Sequence, residues 1–264
     1  MARGRIGELF RSSRTKRRLH FVSFDPCCHP LDALAGIVLA AAHAGADGFF
    51  LGGSTGVDRT MVEQFTRIIV ETLTENFTAA ARPPLILFPS SADTSMAPQA
   101  DAVLFLSLLN SNDVRYLIRE QMRAAPFLPK LGLEPIGCGM ICVEPGGTAG
   151  RVGRAELVKP HDLFTALGYA TAAAAYGFET VYLNAGSGSE RPVPPEMIRT
   201  VAEAIDAPLI VGGGLTDAAK VRAAVEAGAD IVVTGSAIEH GADIAATVGA
   251  LAAAVHAVPA KESR

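Results

Sequence analysis

Eight short apolar runs recur along the chain, and segments with helical periodicity separate most of them. Apolar runs of this length are typical of strands buried on both faces, as in a parallel sheet. Strands that alternate with helices favour the same sheet, because each crossover helix returns the chain to the starting edge. Eight such units predict a closed (β/α)8 barrel. The runs are LHFVSFDP, ADGFFLGGS, PLILFPSS, DAVLFLSLLNS, EPIGCGMICVEPGG, TVYLNAGSG, PLIVGGG and ADIVVTGSA.

The third unit is shorter than the others. Only about a dozen residues separate Pro89, near the end of the third run, from Ala102, and Pro98 interrupts them. A full crossover helix does not fit there, because proline removes a backbone donor and clashes inside a helix. The predicted fold class is therefore α/β, a (β/α)8 TIM barrel with a reduced third helix. A doubly wound sheet is disfavoured, because the first strand ends in FDPCCHP and lacks the G-x-G-x-x-G turn.

The 264 residues suit one barrel domain, which we place at 20–258. A basic N-terminal tail covers 1–19, and a short C-terminal tail covers 259–264. Residues 1–18 hold seven of the 23 Lys and Arg residues but only one of the 27 acidic residues. We expect a solvated tail there. The alternative is attraction to anionic lipid, which would give peripheral membrane association. No apolar run is long enough to span a membrane, and we expect no nucleic-acid partner.

The four cysteines do not predict disulfides. Cys27 and Cys28 are adjacent, and Cys138 and Cys142 lie four apart within one predicted strand, too far apart to bridge. Neither pair has the spacing of a zinc site. We expect buried, reduced thiols and a cytoplasmic location.

Glycine-rich turns follow the last three predicted strands. Functional residues of such barrels lie at the C-terminal ends of the strands, and phosphate commonly binds after the seventh and eighth. Helix N-termini offer free N–H groups there, and glycine lets the backbone approach an anion closely. We therefore predict a phosphate site on these three turns. Its residues are Tyr182, Leu183, Asn184, Ala185, Gly186, Ser187, Gly188, Gly213, Gly214, Gly235 and Ser236.

The opposite half of the predicted barrel offers a carboxylate and a hydroxyl. Asp25 ends the first strand and Ser54 follows the second, so the two lie at neighbouring strand ends. Asp25 and Ser54 could form a minimal Mg²⁺ site that a substrate pyrophosphate completes. The structural alternative makes Asp25 a turn residue before Pro26 and Ser54 the cap of the next helix.

Phenylalanines surround this second half of the site, at positions 49, 50, 88 and 105. We expect most of them in the core, with a groove near the thinned third unit that accepts a long hydrocarbon tail. Two phosphorylated ligands, one of them apolar, indicate transfer of an allylic group. In such a reaction Mg²⁺ would stabilise the departing pyrophosphate.

At these residues the sequence resembles the geranylgeranylglyceryl phosphate synthase family of barrel prenyltransferases. The similarity extends from about His20 to Ala257 and rests on the order and spacing of six motifs. The resemblance implies a (β/α)8 barrel with a reduced third helix and Mg²⁺ at Asp25 and Ser54. It also implies a glycerol-phosphate site at 182–188, 213–214 and 235–236. The motifs are the FDP strand, DGFFLGGSTGVD, LFLSLLNSND, YLNAGSG, PLIVGGGLTDAAK and ADIVVTGSAIE.

The chain departs from this family at Asn184, because family members usually carry glutamate in a YLEAGSG segment. The change removes one negative charge near the acceptor hydroxyls and adds hydrogen-bond donors. Two like charges ~4 Å apart repel by about 4 kcal/mol at an effective dielectric near 20. We therefore expect an acceptor with its own carboxylate, such as 3-phosphoglycerate. A relative of the family uses that acceptor, the farnesyl-3-phosphoglycerate synthase of moenomycin-type antibiotic biosynthesis.

The leading hypothesis is a Mg²⁺-dependent prenyltransferase in which the C2 hydroxyl of 3-phosphoglycerate attacks C1 of farnesyl diphosphate. Asp25 and Asn184 are the candidate catalytic residues, and we expect a homodimer. The first alternative is a prenylglyceryl phosphate synthase that uses glycerol 1-phosphate and tolerates Asn184. The others are a barrel isomerase or lyase of sugar phosphates and a phosphate-binding scaffold without catalysis.

Overall fold

The computed structural model describes residues 4–53, 55–94, 96–239 and 243–260. Eight parallel strands form one closed barrel in chain order, and the eighth pairs with the first to close it. The predicted barrel is confirmed. The strands are β1 (Leu19–Phe24), β2 (Gly48–Leu51), β3 (Leu85–Leu87), β4 (Ala102–Leu108), β5 (Glu134–Cys142), β6 (Thr180–Asn184), β7 (Leu209–Gly212) and β8 (Ile231–Thr234).

Helices surround most of the barrel. Several begin at an aspartate whose carboxylate accepts a hydrogen bond three residues on, as Asp58 does from the Met61 N–H at 2.8 Å. Such caps satisfy amides that have no partner within the helix. The helices are α1 (Arg5–Ser12), α2 (Leu34–His43), α3 (Arg59–Asn76), a π-helical turn (Arg115–Arg119), α4 (Glu120–Ala124), α5 (Leu128–Leu131), α6 (Gly147–Val152), α7 (Leu163–Ala175), α8 (Pro195–Ala204), α9 (Ala218–Glu226), α10 (Ser236–Glu239) and α11 (Ile244–His256).

The reduced third helix is confirmed for the described residues, because 88–94 and 96–101, between β3 and β4, contain no helix. Side chains of α4 hold this connection in place. Glu120 accepts a hydrogen bond from the Ala92 N–H at 2.8 Å, and Arg123 pairs with Asp93. The barrel wall therefore lacks its usual helical cover at this point.

Apolar residues form one layer inside the barrel and two between the strands and the surrounding helices. Successive residues of a strand face opposite sides, so Phe50 belongs to the inner layer and Phe49 to an outer one. Both rings are fully buried. The two phenylalanines are therefore core residues, as expected.

The prediction of a solvated N-terminal tail is wrong. Helix α1 lies across the N-terminal end of the barrel, where the side chains of Ile6 and Phe10 are buried. The Phe10 ring packs edge-on against Phe21, with ring centroids 5.5 Å apart. The N–H groups of Ile6 and Gly7 donate to the Glu134 carboxylate at 3.0 and 2.8 Å. Apolar burial and these hydrogen bonds hold the segment on the barrel.

Four acidic residues, which we call the pre-strand acids, each directly precede an even-numbered strand at this same end. Each carboxylate accepts a hydrogen bond from a backbone N–H near the start of the preceding odd-numbered strand. The bonds run from His20 to Asp47 (2.7 Å), Leu85 to Asp101 (2.8 Å), Gly137 to Glu179 (3.3 Å) and Leu209 to Asp230 (2.9 Å). They satisfy buried or half-buried amides, which would otherwise destabilise the fold.

The arginines of the N-terminal segment pair with the same acids. Arg18 and Asp230 form an ion pair in which both side chains are at most 3% exposed. Because the charges of these three arginines are compensated, the segment gives no support to the alternative, attraction to anionic lipid. The described part of the chain contains no helix long and apolar enough to cross a membrane. The pairs are Arg5 with Asp101, Arg17 with Asp47, and Arg18 with Asp230.

None of the four cysteines forms a disulfide bond with another described residue. Burial raises the pKa of Cys138 and of Cys142 to about 12, so both stay protonated. Cys27 and Cys28 are exposed, and the expectation of buried thiols is wrong for this pair. Their position in the turn after β1 accounts for the difference.

Candidate functional site

The C-terminal ends of the strands surround a cavity of about 190 Å³. Its polar end is formed by the turns after β1, β2, β6, β7 and β8. Its other end reaches the gap between β3 and β4, where Phe88, Met96, Val103 and Phe105 line it. One cavity therefore joins a polar end to an apolar end. The predicted site residues that line it are Asp25, Tyr182, Asn184, Ser187, Gly213, Gly214, Gly235 and Ser236.

The turn after β6 packs directly against the turn after β7. A Cβ on Gly213 would lie 2.6 Å from the backbone N of Gly186, and φ of Gly213 is +87°. Only glycine tolerates both the contact and the backbone conformation. This packing brings Gly213 and Ser187 to the same cavity wall as Gly235.

The remaining predicted phosphate residues do not line the cavity, and the structure differs from the prediction here. Leu183 and Ala185 are fully buried in an outer apolar layer, since they face away from the barrel interior. The Ala185 N–H donates to the Gly212 carbonyl at 3.0 Å, and the Gly186 N–H donates to Asn184 Oδ1 at 2.9 Å. Those two amides already have acceptors. The four residues are Leu183, Ala185, Gly186 and Gly188.

Asn184 is buried at the end of β6 and lines the polar end of the cavity. Its Oδ1 accepts the Gly186 N–H, and this bond fixes which side of the amide is oxygen. Its Nδ2 lies 3.7 Å from Met140 Sδ, a weak acceptor. The side chain therefore offers a ligand hydrogen-bond donors.

Tyr182, two residues earlier on the same face of β6, is also buried. Burial raises the pKa of its phenol far above the usual range, so the hydroxyl keeps its proton and can donate a hydrogen bond. A Cβ on Gly212 would lie 2.4 Å from this hydroxyl, so glycine at that position leaves room for it. The ring centroid lies 5.9 Å from that of Phe88, which connects the polar end to the apolar end.

Asp25 is half-buried and lines the cavity beside Gly53. Its Oδ1 accepts the Cys27 N–H at 2.9 Å, which is the turn interaction that the sequence offered as an alternative. Ser54, the second predicted Mg²⁺ ligand, lies outside the described residues. Within the described ranges, no group of three or more His, Cys, Asp or Glu side chains could hold a metal ion. A Mg²⁺ ion here would depend on Asp25 together with oxygens of the substrate, which suits a metal that uses few protein carboxylates.

His29 lies near Asp25 and was not among the predicted site residues. Its Nε2 is buried and has no hydrogen-bond partner among the described residues, and its ring packs edge-on against Phe24, with ring centroids 5.3 Å apart. Burial lowers the pKa of His29, and the charge of Asp25 opposes this shift. The side chain is thus held next to the candidate carboxylate mainly as a neutral ring. Its place in the turn after Pro26 was the only sequence signal.

The fold and the cavity define a (β/α)8 barrel whose cavity, at the C-terminal ends of the strands, reaches the gap between β3 and β4. The sequence profile of the PcrB family matches residues 12–254. The geranylgeranylglyceryl phosphate synthase of Methanothrix thermoacetophila is 39% identical over 249 residues, which cover 94% of each chain. The enzyme of the same name from Pyrococcus abyssi is 43% identical over 222 residues, 83% of this chain and 84% of that one. The chain belongs to the PcrB family.

Solved structures agree with this assignment. The (S)-3-O-geranylgeranylglyceryl phosphate synthase of Thermoplasma acidophilum, in complex with its substrate sn-glycerol-1-phosphate, has a TM-score of 0.88 and 34% identity. The match covers 95% of this chain and 98% of that chain. The GGGPS of Thermoplasma volcanium has a TM-score of 0.89 and 35% identity, with 97% and 99% covered. The family resemblance is confirmed, whereas the resemblance to farnesyl-3-phosphoglycerate synthases stays a prediction.

Proposed function

We propose that this protein is a prenyltransferase, which joins an allylic prenyl diphosphate to a hydroxyl of a phosphorylated three-carbon acceptor and releases diphosphate. The observation that carries the proposal is a cavity that has both a polar end and an apolar end. The polar end suits phosphate groups, and the apolar end suits a hydrocarbon chain. The names of the relatives support the same kinds of substrate.

Asp25 is the residue that we assign to the diphosphate of the donor. Together with phosphate oxygens, its carboxylate offers the all-oxygen environment that Mg²⁺ prefers. Bound Mg²⁺ would supply positive charge that stabilises the leaving diphosphate. Tyr182 keeps its proton and lines the same end of the cavity, so it can donate a hydrogen bond to a phosphate or hydroxyl oxygen.

The similarity to these relatives makes glycerol 1-phosphate, rather than the expected 3-phosphoglycerate, our first candidate for the acceptor. The Thermoplasma acidophilum enzyme was solved with this substrate. Ser187, Gly213 and Gly235 line the polar end of the cavity here, and hydroxyls and glycine backbone suit a phosphate monoester. Glycerol 1-phosphate with a geranylgeranyl or longer donor is therefore our first candidate pair.

Asn184 favours a second candidate pair, 3-phosphoglycerate with farnesyl diphosphate. Because Oδ1 of Asn184 accepts the Gly186 N–H, the side chain can offer the acceptor substrate its two Nδ2 hydrogens as hydrogen-bond donors. A hydrogen-bond donor complements the carboxylate of 3-phosphoglycerate, whereas a glutamate at this position would repel it. An amide is not basic enough to remove a proton from a hydroxyl. We therefore propose that Asn184 positions the acceptor substrate and does not act as the general base.

Product analysis with Mg²⁺, both acceptors and prenyl diphosphates of increasing length tests both pairs. We expect an ether product, and the ratio of kcat/KM values for the two acceptors decides between them. If no donor yields an ether while inorganic phosphate still binds, the scaffold alternative gains support. Conversion of a sugar phosphate without any donor would favour an isomerase or lyase. The homodimer stays a prediction, which light scattering would test.

A further inference from the structure

An exposed apolar row runs along the outside of the segment that forms the side wall of the cavity. Val114, Ile118 and Met122 follow one another at intervals of four, and they are 42%, 57% and 61% exposed. Phe127, just after α4, is 57% exposed. Single exposed apolar residues are ordinary, but a contiguous row is a sign of an interaction surface. We call these four residues the outer stripe.

The opposite face of the same segment lines the cavity, through Tyr116, Gln121 and Ala124. The Ser107 hydroxyl donates to the Leu117 carbonyl at 2.7 Å, which ties the π-helical turn to β4. One helical layer therefore separates the apolar part of the cavity from the outer stripe. The neighbouring gap between β3 and β4 lacks helical cover in the described residues.

Basic residues accompany the outer stripe. Residues 113–130 contain four Arg or Lys residues and two acidic ones. Arg115 pairs with Glu120, whereas Arg119 and Lys130 are exposed to solvent. A row of apolar side chains flanked by Arg and Lys is the pattern of helices that lie in the interface of an anionic membrane. Charge complementarity thus selects anionic lipid as the occupant of this surface.

We propose that the outer stripe docks this protein on an anionic lipid bilayer, with the 114–127 segment in the plane of the interface. The inference rests on the proposed function, because a prenyl donor and its ether product carry hydrocarbon chains that partition into membranes. Docking places the gap between β3 and β4 beside the bilayer. A hydrocarbon chain then passes between lipid and cavity with little exposure to water, which lowers the cost of transfer.

This surface is distinct from the basic N-terminal segment. There Arg5, Arg17 and Arg18 are paired with the pre-strand acids at the N-terminal end of the barrel. The outer stripe instead lies on the side wall and combines exposed apolar area with exposed cations. Apolar area and cationic charge together bind an interface, whereas compensated charges do not.

Flotation of the full-length protein with vesicles, in the absence of substrate, tests the docking. The vesicles contain equal parts of phosphatidylcholine and phosphatidylglycerol. Ile118→Ser with Met122→Ser is expected to weaken partition about tenfold, because apolar area is lost from the interface. Arg119→Gln is expected to weaken it about fivefold, and to have no effect on purely phosphatidylcholine vesicles. Phe164→Ser is the matched control, since Phe164 is 85% exposed on α7, and it keeps wild-type partition.

Failure of the wild-type protein to float with anionic vesicles would overturn the proposal. Unchanged partition of the double variant would also overturn it. A lower molar mass of that variant in light scattering would do the same, because the stripe would then be a contact between copies. Turnover of geranyl diphosphate without vesicles tests the proposed function separately. The double variant is expected to match wild type there, and a wild-type protein that floats but makes no ether contradicts the function alone.

Discussion

The two ends of the barrel use aspartate in opposite ways. At the N-terminal end, Asp47, Asp101 and Asp230 each accept a backbone N–H and pair with an arginine. At the C-terminal end, Asp25 accepts one N–H and also lines the cavity. Carboxylates with several partners hold a fold together, whereas one that faces a cavity remains available to a ligand. Aspartate thus serves stability at one end and, in the proposed function, chemistry at the other.

The sharpest test of this comparison removes a carboxylate at the N-terminal end. Asp230→Ala leaves the buried Arg18 without its partner and the Leu209 N–H without its acceptor. We expect the free energy of unfolding to fall by about 3–5 kcal/mol, measured by urea denaturation. Asp206→Ala, at an exposed position nearby, should change it by less than about 0.5 kcal/mol. A stability change below about 1 kcal/mol for Asp230→Ala would remove the structural role we assign to the pre-strand acids.

The corresponding change at the C-terminal end is Asp25→Asn. The amide can still accept the Cys27 N–H, so stability should change by less than about 1 kcal/mol. We expect kcat/KM for prenyl transfer to fall about 10²–10³-fold, because the variant loses the charge that we propose holds the metal and the diphosphate. Asp58→Asn, at the cap of α3, should keep wild-type activity. If Asp25→Asn lost stability as Asp230→Ala does, the two ends would not differ as proposed.

Asn184→Glu tests the acceptor side of the C-terminal end. A carboxylate at this position should lower kcat/KM for 3-phosphoglycerate about 10–100-fold relative to glycerol 1-phosphate, through charge repulsion. Asn184→Gln has the same length without the charge and should leave the preference near wild type. An acceptor preference that does not move in Asn184→Glu would contradict the discriminating role of Asn184.

His20 connects the two ends and gives the smallest expected effect. Its backbone N–H donates to the Asp47 carboxylate. Its ring Nε2 lies 2.8 Å from Oγ1 of Thr234, which lines the cavity. Burial lowers the pKa of His20 to about 4, although the charge of Asp47 opposes the shift. An unfolded histidine titrates near pH 6.5, so the unfolded chain binds more protons between these values and stability falls as the pH drops below about 6.5.

As the pH falls from 7.5 to 5.5, the titration of His20 should lower the free energy of unfolding by about 1 kcal/mol. In His20→Gln, the decrease in the free energy of unfolding between these two pH values should be smaller by that amount. Urea denaturation at both pH values measures it. His43→Gln, at an exposed position of α2, should keep the wild-type dependence. Parallel pH profiles for wild type and His20→Gln would show that the titration of His20 is not coupled to folding.

Local pattern was sufficient to predict most of the barrel. The strands are continuous apolar runs, and the short, proline-containing spacer before Ala102 predicted the reduced helix between β3 and β4. Helix α1 was missed because its three large apolar residues, Ile6, Leu9 and Phe10, lie within a basic segment. Its anchor, Glu134, lies 128 positions from Ile6, so no local window contains both partners.

The location of the candidate site could be predicted from the sequence. Which of its backbone N–H groups already donate to an acceptor within the protein could not. Strand ends predicted where Asp25, Asn184 and the glycine turns would meet. The acceptors of the Ala185 and Gly186 amides depend on how two turns pack, and residue types do not specify that packing. The direction of the Asn184 amide follows from the same contact.

Closure of the N-terminal end joins the first residues of the chain to strands that are synthesised much later. Gly7 and Glu134 are 127 positions apart, and Arg18 and Asp230 are 212 apart. Contacts over such separations form late, because the chain must first lose the entropy of a long loop. As the chain leaves the ribosome, the N–H groups of Ile6 and Gly7 have no carboxylate acceptor until Glu134 of β5 is made, and Arg18 has no counter-charge until Asp230 is. Folding of this barrel is therefore expected to finish only after nearly the whole chain has been made.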